Sequence, residues 1–454
     1  MNVHFIAIGG SVMHQLAISL HLSGHIVSGS DDDIFEPSRS NLQKYGLLPP
    51  ENGWFTQKIR PDLDAVILGM HAKPDNPELL AAQNLGLPVY SYPEYIYEQS
   101  KNKKRVVVSG SFGKTSITSM LMHVLKHCGI DFDYLVGAKI EGFDYSLRLS
   151  NAPVIILEGD EYLASPIHRL PKILYYKPHI AILTGIDWDH VNVFPTYEGY
   201  VAQFVRFVAE MPAGGSLIYN TNDKEVVNIA QLATHLQTIG YSTPLYEKSD
   251  GLYCLTPPAL PRIFLQVFGQ HNMENIEAAH LVCKELGITD SDFYEAIGVF
   301  KGAARRLELV AANDSCSIYK DFAHAPSKVR ATVRAMKQLS PERRLIACFE
   351  LHTYSSLSHN FLPQYKDTLA DADIAIVFYN AHTFAIKQMP PLSPDEVRSA
   401  FGRDDLAVFD NSAALEARLL ADNYNQTNLL LMSSGNFGGI DPKQLADSIC
   451  INAD

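Results

Sequence analysis

Short apolar runs closed by glycine or an acidic residue alternate along this chain with longer stretches whose apolar residues return every three or four positions. The first pattern suits strands buried on both faces, the second amphipathic helices, so the order reads as repeated strand–helix units with parallel sheets. Val3–Ile8 predicts a strand, Gly9-Gly10 a turn, and a helix then runs to Leu22. His25–Ser30 predicts a strand ending at Asp31, Ala65–Met70 a third, and Pro77 opens a helix, which together make a Rossmann-like half. A second block opens on Arg105–Val108, turns on glycines and enters a long helix at Lys114. It continues through strands Val154–Glu158 and Ile180–Thr184, a helix after Pro195 and another over Asn272–Leu286. Strands near Ser317–Asp321, Leu345–Glu350, Ile374–Tyr379, Leu406–Phe409 and Leu429–Ser433, separated by helices, predict a second Rossmann-like unit.

The expected architecture is therefore α/β with three domains. These are an N-terminal Rossmann-like domain (1–103), a central P-loop-type ATPase domain (104–304) and a C-terminal Rossmann-like domain (305–454), with Ser100–Lys104 as a linker. A length of 454 residues exceeds one ordinary core, and 46% hydrophobic with 19% charged residues excludes a disordered chain. No apolar run approaches the ~20 residues of a membrane helix, and the N-terminus enters a strand without a basic region, so no signal peptide is expected. Six scattered cysteines without a CxxC pair predict reduced thiols in a cytoplasmic protein. A formal net charge of −13 argues against a nucleic-acid partner, and the basic cluster Lys101 to Arg105 reads as a solvated linker. No membrane partner is expected, and the chain is expected to act as a monomer or weak homo-oligomer.

The strongest local signal is Val106-Val107-Val108-Ser109-Gly110-Ser111-Phe112-Gly113-Lys114-Thr115-Ser116. A strand feeds a glycine turn that feeds a helix, so backbone N–H groups at Gly110 and Gly113 converge where the helix end is partially positive. Lys114 adds a full charge, and Thr115 offers a hydroxyl to Mg²⁺. Val108 stands where the strict Walker pattern has its first glycine. The N-terminal turn Gly9-Gly10-Ser11 departs further, because His14 falls where the third glycine of GxGxxG would be. Asp31 nonetheless ends the second strand where a ribose-binding acid belongs, so a nicotinamide dehydrogenase is the competing reading. Glu158 ends an apolar strand, where sites of open α/β sheets lie, and Asp321 follows another strand. Asn272 and Asn275 either contact a nucleotide or cap the helix they begin.

Taken together, these and further motifs resemble the Mur ligase family over essentially the whole chain. Gly110-Ser111-Phe112-Gly113-Lys114-Thr115-Ser116 is similar to its phosphate loop GTxGKTT, and Glu158-Gly159-Asp160-Glu161-Tyr162 to its EADE motif. Thr184 to His190 resembles TNIxxDH, Gly269 to Asn275 resembles GxHNxxN, Arg305-Arg306-Leu307-Glu308 resembles RR(F/M)E, and Asp321 to Pro326 resembles D(Y/F)(G/A)HHP.

The resemblance implies ATP as substrate and Mg²⁺ at two sites, with Mn²⁺ accepted. Thr115, Glu158 and His190 would be metal ligands; Gly110, Gly113, Lys114, Thr115, Ser116, His271, Asn272, Asn275, Arg306 and Asp321 would bind nucleotide. Lys114, Glu158, His190, Arg306, Asp321 and His324 would act in catalysis. Gly9, Gly10, Ser11, Ser30 and Asp31 would bind a UDP-sugar. The implied reaction joins a carboxylate to an amine through an acyl phosphate, with UDP-N-acetylmuramate and a peptide or amino acid as substrates. Gly29-Ser30-Asp31, Phe35-Glu36-Pro37-Ser38 and Met432 to Ile440 look most like members that attach L-Ala-γ-D-Glu-meso-diaminopimelate during peptidoglycan recycling. Addition of L-alanine is the alternative, and a Mur-like protein that binds nucleotide without turnover is another. Phe112, Asn192 and Ala325 depart from the family pattern, no lysine lies between Pro195 and Met211, and Glu350 to Ser356 lacks the arginines of relatives.

Overall fold

The computed structural model describes residues 1–249, 252–258, 260–302 and 307–452. The chain forms two compact units, Met1–Ile186 with Val201–Ser242 and Ala278–Ile297, and Asp187–Tyr200 with Thr243–Glu277 and Gly298–Asp454.

The first unit carries two sheets. β1 (Asn2–Ile6), β2 (Ile26–Ser30), β3 (Ala65–Leu68) and β4 (Val89–Ser91) pair in parallel in the order β2-β1-β3-β4. β5 (Lys104–Ser109), β6 (Phe132–Leu135), β7 (Leu147–Arg148), β8 (Val154–Glu158), β9 (Ile180–Leu183), β10 (Ser216–Asn220) and β11 (Gln237–Tyr241) make the second, ordered β11-β10-β9-β5-β8-β6-β7. All its pairs are parallel except β6–β7. β5 is central, and Arg105 to Ser109 are all buried, which is why that segment reads as unbroken apolar sequence rather than as an alternation. The chain leaves β5 toward β6 on one side and later crosses to β9 on the other. A crevice therefore opens at the carboxyl end of β5, the position open α/β sheets use for ligands.

The second unit has a small antiparallel sheet, β12 (Tyr246–Ser249), β13 (Leu252–Leu255) and β14 (Ile263–Leu265). Its larger sheet contains β15 (Glu308–Ala312), β16 (Cys316–Asp321), β17 (Arg344–Glu350), β18 (Ile374–Phe378), β19 (Ala407–Phe409) and β20 (Thr427–Met432), ordered β15-β16-β20-β17-β18-β19. Alternate residues of β17 feed opposite cores. Leu345, Ala347 and Phe349 pack with Phe361, Tyr365 and Phe401, while Ile346 and Cys348 pack with Leu415, Phe437 and Ile449. The small antiparallel sheet was not expected from the sequence, because its strands are only three or four residues long and one of them is largely polar.

One expectation holds only in part. Lys101 and Lys104 are exposed, as a solvated linker would have them, but Arg105 and Lys103 are drawn in. Arg105 is 5% exposed and donates to the carbonyls of Ser100, Lys101, Tyr176 and Lys177, closing two helix ends. Lys103 pairs with the buried Asp133 and donates to the Ser150 carbonyl. Orphan carbonyls at helix termini need donors, and a guanidinium can serve several at once. All six cysteines are free thiols, and no helix among the described residues is long and apolar enough to cross a membrane.

Candidate active site

Between β5 and the helix Lys114–His127 the chain turns on Gly110 and Gly113, at φ 117° and 74°. A Cβ on Gly110 would lie 2.2 Å from Thr184 Oγ1, so both conformation and space require glycine. Thr184, just past β9, donates to the carbonyls of Ser109 (3.2 Å) and Phe112 (2.5 Å), and Ser111 N–H donates to the Gly185 carbonyl (2.9 Å). The neighbouring strand's end thus holds the loop open as a cradle. Phe112 packs against Gly185, where any Cβ would be 2.1 Å from the ring. The aromatic at this departure from the family pattern serves packing.

The Lys114 ammonium donates to the Gly110 carbonyl (2.5 Å) and to Glu161 Oε2 (2.9 Å). Burial works against its charge, but Glu161, Asp160 and Glu158 outweigh burial and raise its pKa. Thr115 Oγ1 donates to Glu158 Oε1 at 2.8 Å, and Glu158 Oε2 accepts the Gly137 N–H at 2.7 Å. Asp160 pairs with Lys172 at 2.6 Å. Burial likewise opposes the Lys172 charge, and Asp160 turns the balance to a raised pKa. Ser116 occupies the first turn of the helix. The arrangement offers converging amides, a fixed ammonium and a hydroxyl–carboxylate pair of hard oxygens. That chemistry fits an oligophosphate carrying a divalent cation of the Mg²⁺ type, with Thr115 and Glu158 as the groups to hold the metal.

At the N-terminal turn, Asp31 Oδ2 accepts the Gly9 N–H at 2.7 Å. Asp31 is 5% exposed, and burial, aided by Asp32, pushes its carboxyl up to about 6. Ser30 is buried and its hydroxyl accepts from Lys58 at 3.0 Å. Gly10 is half-buried and Ser11 exposed. The His14 ring faces the Gly10 carbonyl at 2.9 Å and Ser38 at 3.0 Å, filling the space a third glycine would leave to helix packing.

In the second unit, Asp189 is 6% exposed and accepts the His190 N–H (2.7 Å) and the Ser355 hydroxyl (3.2 Å), with His324 Nε2 3.9 Å away. Burial would raise the Asp189 carboxyl, yet His190, His324 and Lys328 hold it well below the usual carboxylate range. His190 takes a left-handed backbone, φ 54°. His324 Nδ1 lies 2.9 Å from the Phe322 carbonyl, and its own carbonyl accepts the Tyr365 hydroxyl at 2.5 Å. Asp321 accepts the N–H groups of Leu307 and Ala323, both at 2.7 Å, so it ties the chain following Arg306 to the loop of His324. Arg306 itself lies outside the described residues. Ala325 is buried at the N-cap of the helix Pro326–Leu339. Asn272 donates to the Phe268 carbonyl (2.8 Å), and Asn275 Nδ2 lies 3.5 Å from Asn272 Oδ1 at the start of the helix Gln270–Glu285. His271 lies beside Gly269, whose Cβ would come 2.9 Å from the ring.

Three side chains here carry no assigned role from the sequence. Glu161 fixes Lys114, Thr184 shapes the phosphate loop, and Asp189 gathers His190, Ser355 and His324. Each belongs to a motif visible in the sequence, but nothing in the motifs shows which partner each takes.

Three family models match the chain: "Mur ligase family, catalytic domain" over residues 2–104, "Mur ligase middle domain" over 108–283, and "Mur ligase, glutamate ligase domain" over 305–435. A UDP-N-acetylmuramate–L-alanine ligase of Caldicellulosiruptor bescii is 32% identical over 391 residues, covering 83% of each chain. An Escherichia coli protein named UDP-N-acetylmuramate–L-alanyl-γ-D-glutamyl-meso-2,6-diaminoheptandioate ligase is 27% identical over 98% of each chain. Among solved structures, a murein peptide ligase from Psychrobacter arcticus superposes with a TM-score of 0.69 at 22% identity, over 99% of both chains, a likeness of fold.

Proposed function

The chain belongs to the Mur ligase family, whose members are ATP-dependent amide ligases, and on that premise we propose that it attaches L-Ala-γ-D-Glu-meso-diaminopimelate to UDP-N-acetylmuramate. The observation carrying the ligase reading is the loop at the end of β5, where Lys114 is held charged and Thr115 is bonded to Glu158. The tripeptide as amine substrate is supported by the Escherichia coli relative, which matches nearly end to end, and by the segment Met432 to Ile440. Addition of L-alanine is the second reading, favoured by the 32% identical relative.

In the proposed reaction the muramyl carboxylate oxygen bonds to the γ-phosphorus of ATP as the bond to ADP breaks. The peptide amine then bonds to the acyl carbon, and phosphate leaves. Two anions meet in the first step, so the site's work is electrostatic. Lys114 and the amides from Gly110 to Ser116 hold the phosphates, with Arg306 as a further cation. Thr115 and Glu158 would hold one Mg²⁺ and His190 serves a second, the metal offsetting phosphate charge when bound. His271, Asn272 and Asn275 take the adenine end. Asp321 holds Leu307 and the loop of His324 together, and Gly9, Gly10, Ser11, Ser30 and Asp31 receive the UDP-sugar. We assign these tasks to residues 1–103, 104–304 and 305–454 as successive domains of a cytoplasmic enzyme.

Mass spectrometry of reactions with Mg-ATP and UDP-N-acetylmuramate, offered the tripeptide or L-alanine in parallel, tests the reading. Product from the tripeptide alone supports it. Product from L-alanine alone moves the assignment to the second reading, and product from neither overturns both.

A further inference from the structure

The larger sheet of the second unit ends in a loop, Glu350 to Ser356, that contains no arginine or lysine. A cation nevertheless reaches this loop from another element. Lys387 closes the helix Ala381–Lys387, which follows β18, and its ammonium lies 4.4 Å from the centroid of the Tyr354 ring. Among the described residues Lys387 has no carboxylate within 4.0 Å. It is half-buried, and burial lowers its pKa. A lysine at a helix C-terminus is favoured by the helix dipole even in full solvent. That accounts for a charge there, not for its withdrawal from water without an anion, which costs free energy.

The surrounding groups define what would satisfy it. His352 lies in the same loop, its ring resting on Gly435, where a Cβ would be 2.6 Å from Nδ1. Burial lowers the His352 pKa; Glu350 opposes this and the Lys387 charge adds to it. Glu350, a buried acid, has its Oε1 3.8 Å from His352 Nδ1. Its other oxygen accepts from the Ser433 hydroxyl and from the Phe437 N–H at 2.9 Å, so it is committed to holding the turn after β20. It does not pair with Lys387. One ammonium against an aromatic ring, at a loop that also carries an imidazole, suits a single carboxylate, which one cation can pair. The oligophosphate features lie in the first unit, at Gly110 to Ser116. The carboxyl ends of β17, β18 and β20, where this group stands, are where open α/β sheets receive ligands.

We infer that Lys387, set against Tyr354 in the loop that also carries His352, receives a carboxylate of the amine substrate and so selects that substrate. This rests on the ligase reading above. Lys387 is a specificity residue: it binds a carboxylate of the substrate and takes no part in bond making.

The test is steady-state kinetics on the full chain with Mg-ATP and UDP-N-acetylmuramate. The amine substrates are the tripeptide and L-alanine, each compared with analogues in which one free carboxylate at a time is a carboxamide. For wild type, one carboxamide should be used far less well than its acid. Lys387→Met should raise KM for the acid about tenfold or more, leave KM for ATP unchanged, and remove the discrimination between that acid and its amide. Lys387→Arg should restore most of the preference, which a purely structural loss would not allow. An unchanged KM for the acid in Lys387→Met overturns the inference, as does an equal loss on acid and amide. If wild type makes no amide with any amine, the ligase reading fails and this inference falls with it. Product formation that is insensitive to Lys387 overturns this inference alone.

Discussion

Asp31→Asn removes a charge that the folded chain holds out of water. The Asp31 carboxyl accepts one hydrogen bond, from Gly9 at 2.7 Å, and its pKa rises from 3.8 to about 6 through burial and the nearby Asp32. Because the folded value lies above the unfolded one, the fold binds this proton more tightly. The resulting stability is fully present below about pH 4 and is lost as pH rises toward 6. Above pH 6 the ionised carboxylate costs about 3 kcal/mol, at 1.36 kcal/mol per tenfold. Asparagine does not ionise, and about 1 kcal/mol of that cost is already present at pH 4.5, where the unfolded chain is largely ionised at this position. The variant should therefore gain about 2 kcal/mol relative to wild type between pH 4.5 and 7.5. Paired urea titrations of the two proteins, followed by circular dichroism without ligands, measure that difference at each pH. A difference that stays constant over the range refutes the reasoning, because it would mean that Asp31 titrates alike in the folded and unfolded chain. The same variant should bind UDP-N-acetylmuramate more weakly in calorimetry, since an acid kept at such a cost is expected to serve a ligand.

Lys114→Ala should lower ADP formation about 10²–10³-fold while the protein stays folded, and near-normal turnover would exclude the phosphate role. Thr115→Val keeps the shape but removes the hydroxyl bonded to Glu158; the Mg²⁺ concentration for half-maximal ADP formation should rise about tenfold, and an unchanged Mg²⁺ titration would remove Thr115 from the metal site. Gly110→Ala should destabilise by about 3 kcal/mol or more, read as a fall in Tm, because the new Cβ meets Thr184 at a φ of 117°. Asp321→Ala leaves the Leu307 and Ala323 N–H groups without their acceptor, and thermal unfolding should report a loss of about 2–4 kcal/mol.

The strand–turn–helix from Lys104 to His127 was legible from residue order, because each of its features is local. An apolar run buried on both faces, two glycines that permit positive φ, and a helix beginning at Lys114 need no information from elsewhere in the chain. The same holds for the parallel α/β class and for most strand positions, which follow from periodicity. Partnerships did not follow from it. Lys114 meets Glu161 across 47 positions, and Asp189 meets Ser355 across 166. Arg105 looked like part of a solvated linker until the ends of two helices supplied the carbonyls it closes. Asp31 stands at the end of a strand in any reading of the sequence, but its raised pKa depends on how deeply the Gly9 turn buries it. Lys387 gives no signal in its own segment, and its interest lies in an anion that the surrounding structure does not supply. Backbone geometry and burial periodicity are properties of neighbouring residues, so the sequence alone determined them. The state of a charge depends on solvent exclusion and on groups brought close from distant segments, and only the tertiary structure decides those.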